Sequence, residues 1–407
     1  MTSNTLGDLT VLECGPRLAV GVCGRLLADL GATVTKIEPP GGDPWRRAGP
    51  FPADVPDPER SGMFAYLHRG KRSVTLDMDS ATGLQVLRRL VASADLLLAG
   101  DTPAQLERTG LLYQPLAEVN PRLICTAITP FGLTGPYRDH ADSELVVTAL
   151  SGVGYYIPGP VESPSTQPPV LSGAHVSDFC AGLQSATATM MAVMARGLTG
   201  VGQQVDVSEQ ETLLDSLRMY LATYVYEGVV QSRDRSNQAV GRGPAYWQCA
   251  DGYVSGIPGP AAEEHAWMNL VDSMGNPEWA LAEEFLDPAY RQQHWTDIQP
   301  RIDAWAASQP KAVVADLLQK RHVTCVPVNR IDDILADEHM AVRGAFVPLG
   351  QPGLESALVP ASPIRFDGSP VTASGLAPTL GQHTTDVLSQ AGFTKEELLW
   401  LRQAGVV

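Results

Sequence analysis

The sequence predicts an α/β fold made of a large Rossmann-like domain and a smaller α+β domain. Three observations carry the prediction. Short apolar strands alternate with helices along residues 9–128, a nearly all-apolar helix follows a Pro-rich loop, and beyond residue 233 the composition turns polar and then aromatic. Alternation of strand and helix favours parallel pairing, because parallel neighbours need a long crossover connection.

The elements follow in order. LTVLEC (9–14) reads as a strand, GVCGRLLADLG (21–31) as a helix closed by Gly31, and ATVTKIE (32–38) as a second strand. Ser80 caps a helix carrying Leu84, Val86, Leu87, Leu90 and Val91, and DLLLA (95–99) returns as a strand. Thr102 and Pro103 suit the N-cap and first position of a short helix ending near Gly110. RLICTAI (122–128) is another buried strand, and YYIPGPVESPSTQPPV (155–170) is a loop. Asp178 to Arg196 fits a helix so apolar that burial on most faces is expected. QQVDVS (203–208) is a strand, followed by one long helix over 209–230. Residues 233–242 read as a linker. Aromatic strands near 246–257 and helical patches holding Trp267, Trp279, Trp295 and Trp305 make the smaller domain, ending near residue 325. In the tail, Thr394 and Glu397 form a capping box, and Phe393 with Leu398 forms a hydrophobic staple.

A formal net charge of −16 argues against a nucleic-acid binder working through bulk positive charge. No apolar run approaches the roughly 18 residues that span a bilayer, and the start MTSNTLGDLTVLEC lacks the pattern of a signal peptide. Neither membrane nor nucleic acid is expected as a partner. The six cysteines are scattered without a CxxC pair, which suits reduced thiols in a cytoplasmic protein.

The first turn, CGPRLAVGVCG, has glycines at 15, 21 and 24, a spacing that does not suit a dinucleotide. Walker A, HExxH and GxSxG motifs are absent, and the histidines show no metal-ligand spacing. Three basic clusters remain: Arg46 with Arg47, His68 to Arg72, and Arg108. Each alone reads as solvated charge. Together, near the ends of parallel strands in an acidic chain, they point to a phosphate-bearing ligand.

One carboxylate stands out. In SGAHVSDFCAG (172–182), Asp178 opens the apolar helix among small residues. It reads as a helix cap, as a nucleophile, or as both. A helix N-terminus favours the anion and is expected to keep Asp178 ionised at neutral pH.

Taken in order, GRLLADLGATVTKIEPPGGDPWRRAGP, RGKRSVTLDM, LERTGLLYQPLAEVNPRLICTAITPFGLTGPY, SGAHVSDFCAG with GQQVDVSEQETLL, DGYVSG and APTLGQHTTDVL resemble the family III CoA-transferases, the CaiB/BaiF family, over nearly the whole chain. The resemblance implies a CoA-transferase that passes CoA from an acyl-CoA donor to a carboxylic acid acceptor, with no tightly bound cofactor and no metal. It implies Asp178 as the covalent nucleophile. It places CoA near Leu18, Lys36, Arg46, Lys71, Arg72, Leu76 and Arg108. It implies an interlocked homodimer, with a large domain begun by 1–205, a long helix and linker over 206–235, a small domain over 236–325, and 326–407 returning to the large domain.

There are departures from the family pattern. Leu18 stands where formyl-CoA transferases carry glutamine, which argues against formate and oxalate. Gly100-Asp101 replaces an Asn-Phe pair that often contacts CoA. The glycine-rich lid is absent, and GIPGP (256–260) reads as a turn. Ser143, followed by Glu144, stands where related racemases carry a catalytic histidine, while His140 and His175 read as structural. Trp45, Phe51, Tyr155 and Tyr156 suit either an apolar acyl pocket or core packing. Alternatives to the transferase are a CoA-ester racemase or isomerase of the same fold, a CoA-ester-binding protein without turnover, and a dehydrogenase whose first turn binds pyrophosphate without the usual glycines.

Overall fold

The structure, a computed structural model, describes residues 5–234, 246–371 and 375–407. The chain forms two compact units. One comprises residues 1–159, 168–231 and 342–407, the other 160–167 and 232–341. Of the expected linker, residues 235–242 lie outside the described residues.

The larger unit is built on a six-stranded sheet. Its strands are β1 (Thr10–Cys14), β2 (Thr33–Glu38), β3 (Arg72–Thr75), β4 (Leu96–Ala99), β5 (Ile124–Thr129) and β6 (Gln204–Ser208). All pairs are parallel, in the order β3-β2-β1-β4-β5-β6. This is the Rossmann order, with its switch point between β1 and β4. The α/β reading thus holds, although β3 falls in a stretch read only as a basic cluster.

The period-two pattern explains how the sheet is covered. Leu12, Cys14, Leu97, Ala99, Cys125 and Ala127 face one cluster, while Val11, Leu96, Leu98, Ile124 and Ile128 face another. The first cluster is closed by helix residues Val86, Leu87 and Leu90, and by Val387, Leu388, Leu398 and Leu401 from the C-terminal segment. The tail helix Lys395–Gln403 carries the expected capping box, with Phe393 and Leu398 in the same cluster.

The helices of this unit that precede its C-terminal segment are α1 (Leu18–Asp29), α2 (Gly62–His68), α3 (Ala81–Val91), α4 (Pro103–Arg108), α5 (Tyr113–Ala117), α6 (Glu144–Leu150), α7 (Val153–Tyr156), α8 (Val176–Thr199), α9 (Glu209–Leu214) and α10 (Arg218–Glu227). Ser80 and Thr102 cap α3 and α4 through their hydroxyls, as expected. The first helix begins at Leu18 rather than Gly21, because Arg17 takes the extended N-cap conformation. The single long helix expected over 209–230 is broken by a 3₁₀ turn at Asp215–Leu217.

Helix α8 differs from expectation in burial. Its small residues Ala181, Gly182, Ser185, Ala186 and Thr189 face inward. A Cβ on Gly182 would stand 2.5 Å from Val22 Cβ and 2.8 Å from Ala19 O, so α1 and α8 meet almost backbone to backbone. The opposite face is apolar but open: Met191, Met194 and Leu198 are 64%, 72% and 91% exposed. Apolar composition marked the helix without revealing that half of it faces outward in one chain.

The smaller unit holds a three-stranded antiparallel sheet of β7 (Tyr246–Cys249), β8 (Gly252–Ser255) and β9 (Val326–Pro327). Its core gathers Trp247, Trp267, Leu270, Ile298, Ile302 and Val314, with Trp279, Trp295 and Trp305 against it. The aromatic signal of this region is therefore core packing.

Candidate active site

The site is assembled from the β1–α1 turn, the first turns of α6 and α8, and the β6–α9 junction. Asp178 is the third residue of α8, and its side chain is 13% exposed. The N-cap is His175, in the left-handed region at φ 50°, and no side chain caps the helix. The cap reading of Asp178 is thereby corrected: the chain enters α8 three residues earlier, which leaves the carboxylate free for other partners.

His175 Nδ1 lies 3.3 Å from Asp178 Oδ2 and 3.2 Å from Glu144 Oε2. Its ring meets Trp45 edge-on at 5.4 Å, and Trp45 Nε1 donates to Pro16 O at 2.8 Å. Across the site, Arg17 Nε donates to Glu209 Oε1 at 2.7 Å and Nη1 to Asp142 Oδ2 at 2.6 Å, while Nη2 also bonds Glu209. Burial works against the Arg17 charge, but Glu209 and Asp142 more than restore it. Leu18, buried at the start of α1, packs in one cluster with Trp45 and Phe179, the neighbour of Asp178.

Burial pushes the Asp178 carboxyl up to about 6; Glu209 and Glu144 add to the rise, while Arg17 and His175 hold it back. The direction is opposite to that expected from the helix terminus. Desolvation and neighbouring carboxylates outweigh a partial charge that is strongest at the unsatisfied N–H groups. A carboxyl held above its ordinary value stabilises the fold while protonated and loses that contribution as pH rises toward about 6. Asp178→Asn is accordingly expected to raise the unfolding free energy by roughly 2–3 kcal/mol at about pH 7.5. The gain should vanish below about pH 4, where the carboxyl is protonated folded or unfolded. Urea titrations at the two pH values check both parts.

A groove of about 310 Å³ runs along the carboxyl ends of the strands, lined among others by Gly15, Pro16, Pro39, Leu76, Asp101 and Gln105. This is where open parallel sheets bind ligands. A Cβ on Gly15 (φ +100°) would stand 2.1 Å from Gly100 O, so only glycine lets the two strand ends come this close.

The basic residues singled out by sequence fall in three places. Lys36, Arg46 and Lys71 are buried in an ion network beneath the groove. Lys36 Nζ lies 2.7 Å from Asp43 and 3.3 Å from Glu13; Lys71 Nζ lies 2.6 Å from Glu13. Arg46 donates to both Glu38 oxygens at 2.7 and 2.9 Å, and to Glu59 at 2.9 Å. Leu76 lines the groove. Arg108 is exposed at its rim, paired with Asp79 at 2.6 Å. Arg72 lines a separate cavity of about 760 Å³ with Gln351, Gln382 and His383. Of the set, Leu18 packs with Phe179, the neighbour of Asp178, and the arginine that bears on the Asp178 carboxyl is Arg17.

Arg17, Glu144, Asp142 and Glu209 went unmarked in the sequence as site residues, and His175 read as structural. Their partners lie far along the chain, so no local spacing betrays them. Ser143, at the racemase-histidine position, caps α6 through its hydroxyl. All six cysteines are free thiols.

Comparison with known proteins agrees with this architecture. The chain is 29% identical over 412 residues to the succinyl-CoA–L-malate CoA-transferase beta subunit of Chloroflexus aurantiacus, covering 100% of this chain and 99% of that one. It is also 29% identical to the formyl-CoA:oxalate CoA-transferase of Streptomyces avermitilis, covering 98% and 97%. The crystal structure of a CaiB/BaiF family protein from Brucella suis superposes with a TM-score of 0.81 at 26% identity, covering 96% of this chain and 100% of that one. Residues 6–384 match the family described as CoA-transferase family III. The chain therefore belongs to CoA-transferase family III, enzymes whose substrates are CoA thioesters.

Proposed function

We propose that this enzyme moves CoA from an acyl-CoA donor to a carboxylic acid acceptor through covalent intermediates on Asp178. The observation that carries the reading is the setting of that carboxylate. It is nearly buried, it has one oxygen tethered to His175, and it is flanked by the strand-end groove through Pro16 and Trp45. A poorly solvated carboxylate is a stronger nucleophile than one in water.

The steps balance without a proton. The free oxygen of Asp178 attacks the thioester carbonyl, the C–S bond breaks, and CoA leaves as thiolate. The thiolate then attacks the aspartyl carbonyl of the mixed anhydride and expels the donor acid as carboxylate, leaving an aspartyl-CoA thioester. The acceptor carboxylate attacks that thioester and releases thiolate again. Attack of the thiolate on the acceptor's acyl carbon completes the new acyl-CoA and restores Asp178. Thioester energy is conserved throughout.

For the nucleotide of CoA we propose the groove at the strand ends, with Leu76 in its wall and Arg108 at its rim. Lys36, Arg46 and Lys71 act on it from beneath, by holding the walls in place; Arg72, at the start of β3 and bonded to Gln390, faces the separate cavity instead. The racemase alternative suits the site less well: Ser143, at the position where the resemblance puts a racemase's histidine, spends its hydroxyl capping α6.

The assembly proposed is a homodimer whose second copy covers the open apolar faces of α8 and α10, where Met194, Leu198, Met219 and Tyr226 are exposed. Light scattering should give about twice the 43.5 kDa chain mass, and the chain mass alone would refute the dimer.

The reading is tested by intact-protein mass spectrometry after incubation with a panel of acyl-CoAs that includes succinyl-CoA and formyl-CoA. An aspartyl-CoA adduct on the peptide holding Asp178 is expected. No adduct with any donor, or one on another residue, would overturn it. The two relatives are named for different acids at the same identity, so the panel spans both kinds of donor. Leu18, set against Trp45 and Phe179, gives the site an apolar wall, which favours acids larger than formate.

A further inference from the structure

We propose that His175 is the positioning residue of the nucleophile: its Nδ1–H is held on Asp178 before attack and passes to Glu144 once Asp178 is acylated. The proposal rests on the reading of Asp178 as nucleophile.

The geometry sets one donor between two acceptors. Nδ1 is hydrogen-bonded to Asp178 Oδ2 at 3.3 Å and lies at ion-pair distance, 3.2 Å, from Glu144 Oε2. Among the described residues, this is the one hydrogen bond to the Asp178 carboxylate. The arginine of the site, Arg17, is committed to Asp142 and Glu209. Glu144 Oε1 is buried without a partner, so this carboxylate has unused accepting capacity next to the imidazole.

Chemistry at Asp178 then makes the arrangement useful. While the carboxylate is an anion, a hydrogen bond to Oδ2 fixes its rotamer and leaves Oδ1 to attack. Acylation converts the anion to a neutral carbonyl group, a weaker acceptor. Glu144 Oε2 stands 3.2 Å from the same nitrogen, so a small rotation of the ring aims the N–H at it. When thiolate or acceptor acid regenerates Asp178, the bond returns. No proton leaves the imidazole in either state.

The backbone supports a functional role. His175 sits at φ 50°, a conformation that strains a side-chain-bearing residue and that glycine adopts freely. The imidazole is held there edge-on to Trp45, which is itself anchored to Pro16. Strain held in place by such bracing is typical of functional positions.

The same backbone makes the test clean. His175→Gly fits the left-handed position without its donor, and His175→Asn also tolerates it while placing an amide N–H where Nδ1 stood. Turnover is measured with the acyl-CoA that gives most adduct in the panel, paired with labelled acid of the same acyl group to follow exchange. The glycine variant should lose roughly 10- to 100-fold in kcat, with KM for the acyl-CoA changed by less than about threefold. Its acid limb should move to higher pH, because a donor that favoured the Asp178 anion against Glu144 and Glu209 is gone. The asparagine variant should return to within about threefold of the parent kcat. Parent kcat in the glycine variant, or equal impairment in both, would overturn the proposal. Loss of exchange in Asp178→Ala together with an unimpaired His175→Gly would overturn this inference alone; parent exchange in Asp178→Ala would overturn the nucleophile reading beneath it.

Discussion

Asp178→Ala is expected to lower CoA transfer by roughly 10³-fold or more, with the fold and acyl-CoA binding retained. The magnitude follows from what is removed. Without the carboxylate, the acceptor acid must attack the donor thioester directly, and the two-step route through an anhydride is lost. The fold should tolerate the change, since the side chain bears no helix-capping bond and its ionised form is disfavoured where it sits. Steady-state exchange, together with the mass of the protein after incubation with donor, checks both halves. Glu144 is the informative control. Its carboxylate shares His175 with Asp178, so residual turnover with an adduct mapped to Glu144 would show a substitute nucleophile rather than an innocent Asp178. Turnover at the parent rate without any adduct would sink the mechanism.

Glu13→Leu is expected to be the most damaging substitution for stability, at about 3–5 kcal/mol. Glu13 lies on β1, fully buried, with Oε2 accepting from Lys71 Nζ at 2.6 Å and Oε1 from Lys36 Nζ at 3.3 Å. Its carboxylate occupies space that α1 leaves at Gly24, where a Cβ would stand 2.0 Å from Oε2. Lys36 keeps Asp43 if Glu13 is lost. Lys71 keeps only the carbonyl of Gly21 and the ring of His68. Burial already pulls Lys71 below the ordinary lysine range even with Glu13 beside it. Removing the carboxylate therefore leaves a buried cation without a counter-charge, the costly way to break such a pair. Two results would identify this cause in urea titrations. The deficit should shrink at alkaline pH, where Lys71 sheds its proton, and Lys71→Met added to Glu13→Leu should recover part of it. A deficit independent of pH and of Lys71 would point to packing instead.

The two predictions differ in how readily the sequence announced them. Asp178 was legible because small residues and a long apolar helix surround it, and because the ordered segments resemble a known family. The parallel sheet was legible because its strands are short, apolar and separated by capped helices. Lys36, Arg46 and Lys71 were visible as charges but not as a buried network. Their partners Glu13, Glu38 and Asp43 lie on or just after strands, where a carboxylate usually reads as solvated. Nothing local in LTVLEC distinguishes a buried glutamate from an exposed one.

β3 and the break after α9 escaped the sequence, but most of the element order, the Rossmann character of the larger unit, the family and the carboxylate at the start of α8 were readable from it. These are properties of periodicity, capping and ordered motifs, all written along the chain. Tertiary structure alone decided that Asp178 stands in the first turn rather than at the cap, and that its carboxyl is raised to about 6 instead of lowered. It alone joined Arg17 to Asp142 and Glu209, and Glu144 to His175. Desolvation and charge pairing depend on distances between residues remote in sequence, and those distances exist only once β1, β6, α6 and α8 are packed together.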